Sequence, residues 1–287
     1  MSKKSSALSH ITAGFTAVLV GYTSSIVIVM QAATAAGASP EHIESWLLAL
    51  GLSLGLTSIG YSWFYKTPIL MAWSTPGAAV LVGAATQYEL PVVIGSFVIS
   101  GLLIFVTGLI SPLPKALQRI PMPLATAMLG AILMPLCIQA FQPISTMPVV
   151  FMCMFFAFII AKRLVPQYTM VILLAVGFLC TYYLDDSIIA VSELTFARPV
   201  WVTPVLEVSA ILNISLPLYL VTMLSQNLPG IAMMKSYQYG VPVKPILVGT
   251  GLCNLVTAPF GGFSANLAAI SAAICMTEQV DSDKNRR

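Results

Sequence analysis

The chain has 287 residues, of which 58% are hydrophobic and only 8% charged, with a net charge of +3 and a mean hydropathy of +0.92. Soluble domains run at roughly 45–50% apolar and about 25% charged, so this chain has more apolar surface than one core can hide. The composition excludes a cytosolic enzyme, a nucleic-acid binder and a disordered chain, and places the protein in a bilayer.

The N-terminal stretch Met1–His10 is polar and carries Lys3 and Lys4. The apolar segment after it is too long for a signal-peptide core and predicts a retained first helix. A spanning helix needs about 20 apolar residues. On that measure the membrane segments are 11–35, 45–65, 68–85, 92–110, 121–140, 147–161, 168–184, 208–226, 245–257 and 258–277. Connections are short apart from 185–207, which carries Asp185, Asp186, Glu193 and Glu207. Cys137, Cys153, Cys180, Cys253 and Cys275 all lie in apolar segments without CxxC or CxxH spacing, so neither a disulfide nor a metal site is expected.

With the N-terminus in the cytoplasm and the segments alternating, only Arg198 of the 13 Lys and Arg residues falls outside. Seven of the ten acids, Glu41, Glu44, Glu89, Asp185, Asp186, Glu193 and Glu207, also fall outside. This is the bias of the positive-inside rule. No Asp, Glu, Lys or Arg sits at the centre of any segment, so no buried carboxylate relay is available.

Two segments are broken. In 68–85, Pro76 suits the first turn of a helix but not its interior, and Ser74 or Thr75 is the candidate cap. The pattern predicts a short extended piece and then a half-helix over Pro76–Ala85. In 258–277, Pro259, Gly261 and Gly262 break the first part, and Ala265–Met276 is the predicted second half-helix, running the opposite way. Irregular backbone at that depth survives only where it is buried or lines a cavity. Paired helix N-termini favour an anion, and paired broken helices mark secondary transporters. Val20–Ser25 also resembles Val221–Gln226 weakly, as an inverted repeat would.

The stretches that carry these features resemble the benzoate membrane transport family of benzoate:proton symporters. They are Ala13-Gly14-Phe15 with Val18–Ser25, Ala72–Ala79 (AWSTPGAA), Leu216-Pro217-Leu218 with Leu220–Met223, Ser225–Ala232 (SQNLPGIA) and Ala258–Phe263. The resemblance covers nearly the whole chain. It implies an all-α polytopic membrane protein, related to nucleobase–ascorbate transporters, with a partial seven-plus-seven inverted repeat. About ten membrane segments are present, and the two broken ones carry short extended pieces. The implied organisation is core domain 1–110, gate domain 111–185, extracytoplasmic loop 186–207, incomplete second core 208–277 and cytoplasmic tail 278–287. Family members run on for four more helices, so the chain resembles a C-terminally truncated member, lacking helices 11–14.

The resemblance implies proton-coupled import of benzoate or a similar aromatic carboxylate across the inner membrane, with no cofactor and a homodimer as the assembly. Nucleobase carriers present glutamates at positions held here by Ser225 or Gln226 and by Ala265, which fits an anionic substrate. In this reading the carboxylate accepts backbone N–H groups around Pro76–Ala78 and Ser264–Asn266. Gly77, Gly261 and Gly262 allow close backbone approach, and Ser74, Thr75, Gln226, Ser264 and Asn266 add side-chain donors. Trp73, Phe260 and Phe263 flank the ring. Ser24 and Ser25 either meet substrate or only bridge helices, and Gln226 and Asn227 either meet substrate or cap a helix end. Asn213 and Asn254 read as helix–helix glue. The competing readings are a transport-inactive remnant and a carrier or channel for another small organic anion.

Overall fold

The computed structural model describes residues 7–110, 134, 137–138, 140–165, 169–184, 196–268, 270–277 and 280. Helix α1 spans Ala7–Ala35 and α2 spans Pro40–Tyr65. Strand β1 (Met71–Trp73) leads into the short helix α3 (Thr75–Ala84), and α4 spans Leu90–Leu109. Helices α5 (Pro148–Leu164) and α6 (Thr169–Leu184) pack together as a hairpin. The long helix α7 spans Val208–Ser236, and α8 spans Val243–Thr257. Strand β2 (Ala265–Leu267) and the short helix α9 (Ile270–Met276) follow. The expected segment 121–140 lies almost wholly outside the described residues.

Among the described residues four helices are long and apolar enough to cross a membrane: Pro40–Tyr65, Leu90–Leu109, Val208–Ser236 and Val243–Phe260. A fifth is α1, which bends by 41° between Ala13–Thr23 and Ser25–Ala35. Local chemistry explains their starts. Ser39 accepts the His42 amide and Pro40 opens α2, so two first-turn requirements are met by adjacent residues.

Helix α7 corrects two expectations. It does not end at Gln226 but runs on to Ser236, so Asn227 caps no helix end. It also contains two π-turns, Ile211–Ser215 and Met223–Asn227, each followed directly by Leu-Pro. Pro217 and Pro229 have no N–H for the carbonyl four residues back. The residues before them, Leu216 and Leu228, instead donate to Ile211 and Met223, five residues back. The helix widens by one residue at each proline and continues.

The core lies where α1, α2, α3, α4 and α7 meet the strand pair, around Trp46, Leu50, Ile69, Leu81, Ile94, Phe97, Leu218 and Phe263. An extended strap, 196–207, crosses one end of this bundle. Val200 N–H donates to Ser45 Oγ at 2.9 Å, Val202 N–H to the Pro259 carbonyl at 2.8 Å, and Val205 N–H to the Pro91 carbonyl at 2.9 Å. Trp201 meets Phe260 edge to face with ring centres 5.3 Å apart.

Helices α4 and α8 are in the most intimate contact, and glycine makes it possible. A Cβ on Gly251 would stand 2.4 Å from the Phe105 amide nitrogen, and one on Gly108 would stand 2.6 Å from that of Val248. Both obstacles are backbone and cannot rotate away. Replacing Gly251 with alanine is therefore expected to lower stability by about 1–3 kcal/mol, measured as an earlier thermal unfolding of the purified protein in detergent. Gly60, where an added Cβ meets nothing within 4 Å, is the control position.

Candidate functional site

The two broken segments meet. Strands β1 and β2 pair antiparallel with Met71 opposite Leu267, Ala72 opposite Asn266 and Trp73 opposite Ala265. The pairing is extended by Ser74 N–H to the Ser264 carbonyl (3.2 Å) and Ala268 N–H to the Leu70 carbonyl (2.9 Å). A pair of three-residue strands is all edge, and edge groups surrounded by apolar helices need partners.

Helix side chains supply them. On the β1 side, Ser58 Oγ accepts the Met71 N–H at 2.9 Å. Ser62 Oγ accepts the Ile69 N–H at 3.0 Å and donates to the Ile69 carbonyl at 2.9 Å. On the β2 side, Asn254 Oδ1 accepts the Ala265 N–H at 2.7 Å while its Nδ2 donates to the Ala265 carbonyl at 3.2 Å. Asn227 Oδ1 accepts the Leu267 N–H at 3.0 Å. The sequence alone marked Asn254 as helix glue and Asn227 as a substrate or capping residue, and did not mark Ser58 or Ser62.

From β1 the chain enters α3, ten residues long, or about 15 Å at 1.5 Å per residue. Ser74 caps it: its Oγ accepts the Gly77 N–H at 3.0 Å and its carbonyl accepts the Ala78 N–H at 2.8 Å. The helix start falls where the Ser-Thr-Pro pattern put it. The amides of Gly77 and Ala78 are nevertheless already committed to Ser74, which removes them as donors to a bound anion. Thr75 is half-buried, and Pro76 and Gly77 are buried. A Cβ on Gly77 would stand 2.8 Å from Leu218 Cδ1, so this glycine admits α7 against the α3 start.

The second broken segment departs further from expectation. Ala265–Leu267 is strand, and α9 begins only at Ile270. The Asn254 and Asn227 amides hold this stretch extended, where the sequence pattern predicted helix. Gly261 has φ +88°, and a Cβ there would fall 1.6 Å from Trp46 Cδ1, so only glycine fits. Ser264 adopts φ +48°, a left-handed conformation uncommon outside glycine.

The aromatic residues are not gathered around one space. Phe263 is fully buried in a cluster with Phe97 (5.2 Å between ring centres) and Trp46 (5.8 Å). Phe260 is occupied by Trp201, and its carbonyl accepts Ser45 Oγ at 3.0 Å. These two are packing residues, which corrects their assignment to the substrate ring. Trp73 is different. It stands at the β1 end, meets Tyr22 of α1 edge to face at 4.8 Å, and donates its indole N–H to Ser25 Oγ at 2.8 Å. Ser25 in turn donates to the Gly21 carbonyl. The side chain of Ser24 lies outside the described residues, and Gln226 is half-buried in the second π-turn.

Several buried polar atoms in this region have no partner. Ser264 Oγ and Asn266 Oδ1 are two, although Asn266 Nδ2 donates to the Ser264 carbonyl at 2.8 Å. Ser215 Oγ and Thr222 Oγ1 are two more, on the α7 stretch whose Leu218 meets Gly77. Unpaired buried hydroxyls are costly. Three of these atoms are hydroxyls, Asn266 Oδ1 is an acceptor, and Ser264 lies beside the start of α3, since its carbonyl accepts the Ser74 N–H, where the helix dipole adds partial positive charge. Among the described residues no group of three His, Cys, Asp or Glu could hold a metal ion.

Comparison with known proteins agrees with this architecture. Residues 4–287 match the family model described as benzoate membrane transport protein. The inner membrane protein YdcO of Escherichia coli strain K12 is 39% identical over 277 residues, which is 96% of this chain and 70% of that protein. The benzoate membrane transport protein of Acinetobacter baylyi is 33% identical over 285 residues, 99% of this chain and 72% of that protein. Among solved structures, the transmembrane domain of the cyanobacterial bicarbonate transporter BicA superposes with a TM-score of 0.68 at 15% identity, covering 97% of this chain and 78% of that one. At that identity the likeness is one of fold. The chain belongs to the benzoate membrane transport protein family, a family of membrane transporters and not of enzymes.

Proposed function

We propose that the protein imports benzoate or a close aromatic monocarboxylate together with protons, in the inner membrane, with its N-terminus in the cytoplasm. The observation that carries this reading is the set of buried, unpartnered hydroxyls of Ser264, Thr222 and Ser215 near the Ser74-capped start of α3. They are donors without acceptors, and a carboxylate is an acceptor without donors. The Trp73–Tyr22 pair offers the aromatic surface for the ring. Family membership supports the substrate class.

In this reading, Ser264 and Thr222 donate to the carboxylate, and the α3 dipole adds to its stabilisation. Thr75, the first residue of α3, and Gln226, both half-buried, are further donors in this reading. Pro76 and Gly77 shape the approach of α7, while Gly261 and Gly262 shape the turn into β2. No Asp, Glu, Lys or Arg lies in β1, α3, α4 or β2, so the proton enters with the substrate or as part of the gradient, and not through a resident acid in those elements. Ten membrane segments, the inverted repeat between the α1–α4 and α7–α9 regions, and a homodimer complete the proposed organisation. The core and gate limits are those of the sequence reading: 1–110, 111–185, 186–207, 208–277 and 278–287.

Labelled benzoate uptake into cells producing the protein is the direct test. Saturable uptake that falls to background with a protonophore is expected; uptake indifferent to the proton gradient rejects coupling, and no uptake rejects the substrate. Replacing Ser264 with alanine removes one donor and is expected to raise the uptake KM by about tenfold or more, the equivalent of one hydrogen bond to a charged group. An unchanged KM places the carboxylate elsewhere. Ser74→Ala removes the cap and is expected to cost about 0.5–2 kcal/mol of stability, read as a lower unfolding temperature.

A further inference from the structure

We propose that Asn254 is a positioning residue for the substrate cradle: it acts as a substitute third strand that sets the register of β2 and so fixes where Ser264 and Asn266 stand. The inference rests on the reading of these residues as the substrate site. Asn254 is 2% exposed near the C-terminal end of α8. Its amide engages both backbone groups of Ala265, the acceptor at 2.7 Å and the donor at 3.2 Å. This is how a neighbouring strand would bind that residue. Only a planar group with a donor and an acceptor side by side can do so.

The alternation of the strand turns this contact into a positional one. Ala265 and Leu267 offer their backbone groups outward, to Asn254 and Asn227, while Ala72 stands opposite Asn266 on β1. A shift of one residue would exchange the two sets and turn the unpartnered Ser264 and Asn266 groups to the other face. The strand is three residues long, too short to hold its register by ladder bonds alone. The α4–α8 contact keeps Asn254 itself in place, since a Cβ on Gly101 would stand 3.0 Å from the Asn254 Cβ.

Substitutions separate positioning from bulk stability. Asn254→Asp has the same shape but, when ionised, only acceptors, so the Ala265 carbonyl loses its donor. A protonated carboxyl regains both functions. The charged groups on the packed elements stand at helix ends: Glu41 and Glu44 on α2 and Lys244 on α8, with His42 beside them and none on α4 or β2. Tyr61, Tyr65 and Cys253 are the remaining titratable groups of α2 and α8. None of these supplies a counter-charge in the middle of a helix.

The test measures benzoate uptake by the wild-type protein and Asn254→Asp at pH about 7.5 and about 5.5, to compare the more ionised with the more protonated carboxyl. Amide hydrogen exchange over 261–268 is measured in parallel for the wild-type protein and Asn254→Leu, without substrate. At the higher pH the Asp variant is expected to show a KM about tenfold above wild type with Vmax within about twofold, and at the lower pH a KM close to wild type. The Leu variant is expected to exchange the Ala265 and Leu267 amides faster. A KM ratio of one at both pH values overturns the proposal, as does unchanged exchange in a folded Leu variant. An equal loss of Vmax at both pH values with KM unmoved also overturns it, by reducing Asn254 to a folding residue. If the wild-type protein takes up no aromatic acid, the proposed function fails separately, and the exchange comparison alone decides whether Asn254 sets the strand.

Discussion

A backbone that leaves the helical state inside an apolar bundle must find a partner for every N–H and C=O it frees. Most of this molecule can be understood as the satisfaction of that demand at one place. Two three-residue strands pair with each other through their inner groups, and four side chains from three helices, Ser58, Ser62, Asn227 and Asn254, take up outer groups. The helices are therefore arranged around the strands as much as against each other. The glycines of α4 and α8 follow from the same need, because α8 must lie close enough for an asparagine to reach the strand.

The same site also leaves some groups unsatisfied. Ser264, Asn266, Ser215 and Thr222 keep polar atoms buried and unpaired in a region where their neighbours are carefully matched. Folds tolerate such exceptions where function uses them. The left-handed Ser264, set between the glycine turn and the strand, is a further departure from local preference at the same point. Hydroxyls without acceptors, a capped helix start and an aromatic pair are the features on which the proposed aromatic-carboxylate site rests. Membership of the benzoate membrane transport family gives that chemistry its context.

Much of this was legible in the sequence because its causes are local. Ser74 followed by Thr-Pro-Gly specifies a capped helix start within four residues, and the structure has it there. Pro259 with Gly261 and Gly262 specifies a break. What followed the break was misjudged, and the reason is distance: Ala265–Leu267 has a helical composition, but Asn227, 40 residues earlier, and Asn254, 11 residues earlier, hold it extended. No pattern within the segment records that. Phe260 and Phe263 were misassigned for a related reason. An aromatic residue beside a glycine turn fits a binding surface as well as a core, and only the positions of Trp201, Trp46 and Phe97 decide between them. The expected segment 208–226 falls short of α7 because a π-turn absorbs Pro229 and lets the helix run on to Ser236.

The strap over residues 196–207 bears on how the protein can move. Its main-chain N–H groups tie the Ser45 side chain near the start of α2, the first turn of α4 and the turn that leads into β2 to one segment. Any displacement that parted these elements would have to break several bonds along one continuous segment. The strap therefore couples α2, α4 and the turn before β2 mechanically, although they are far apart in the chain.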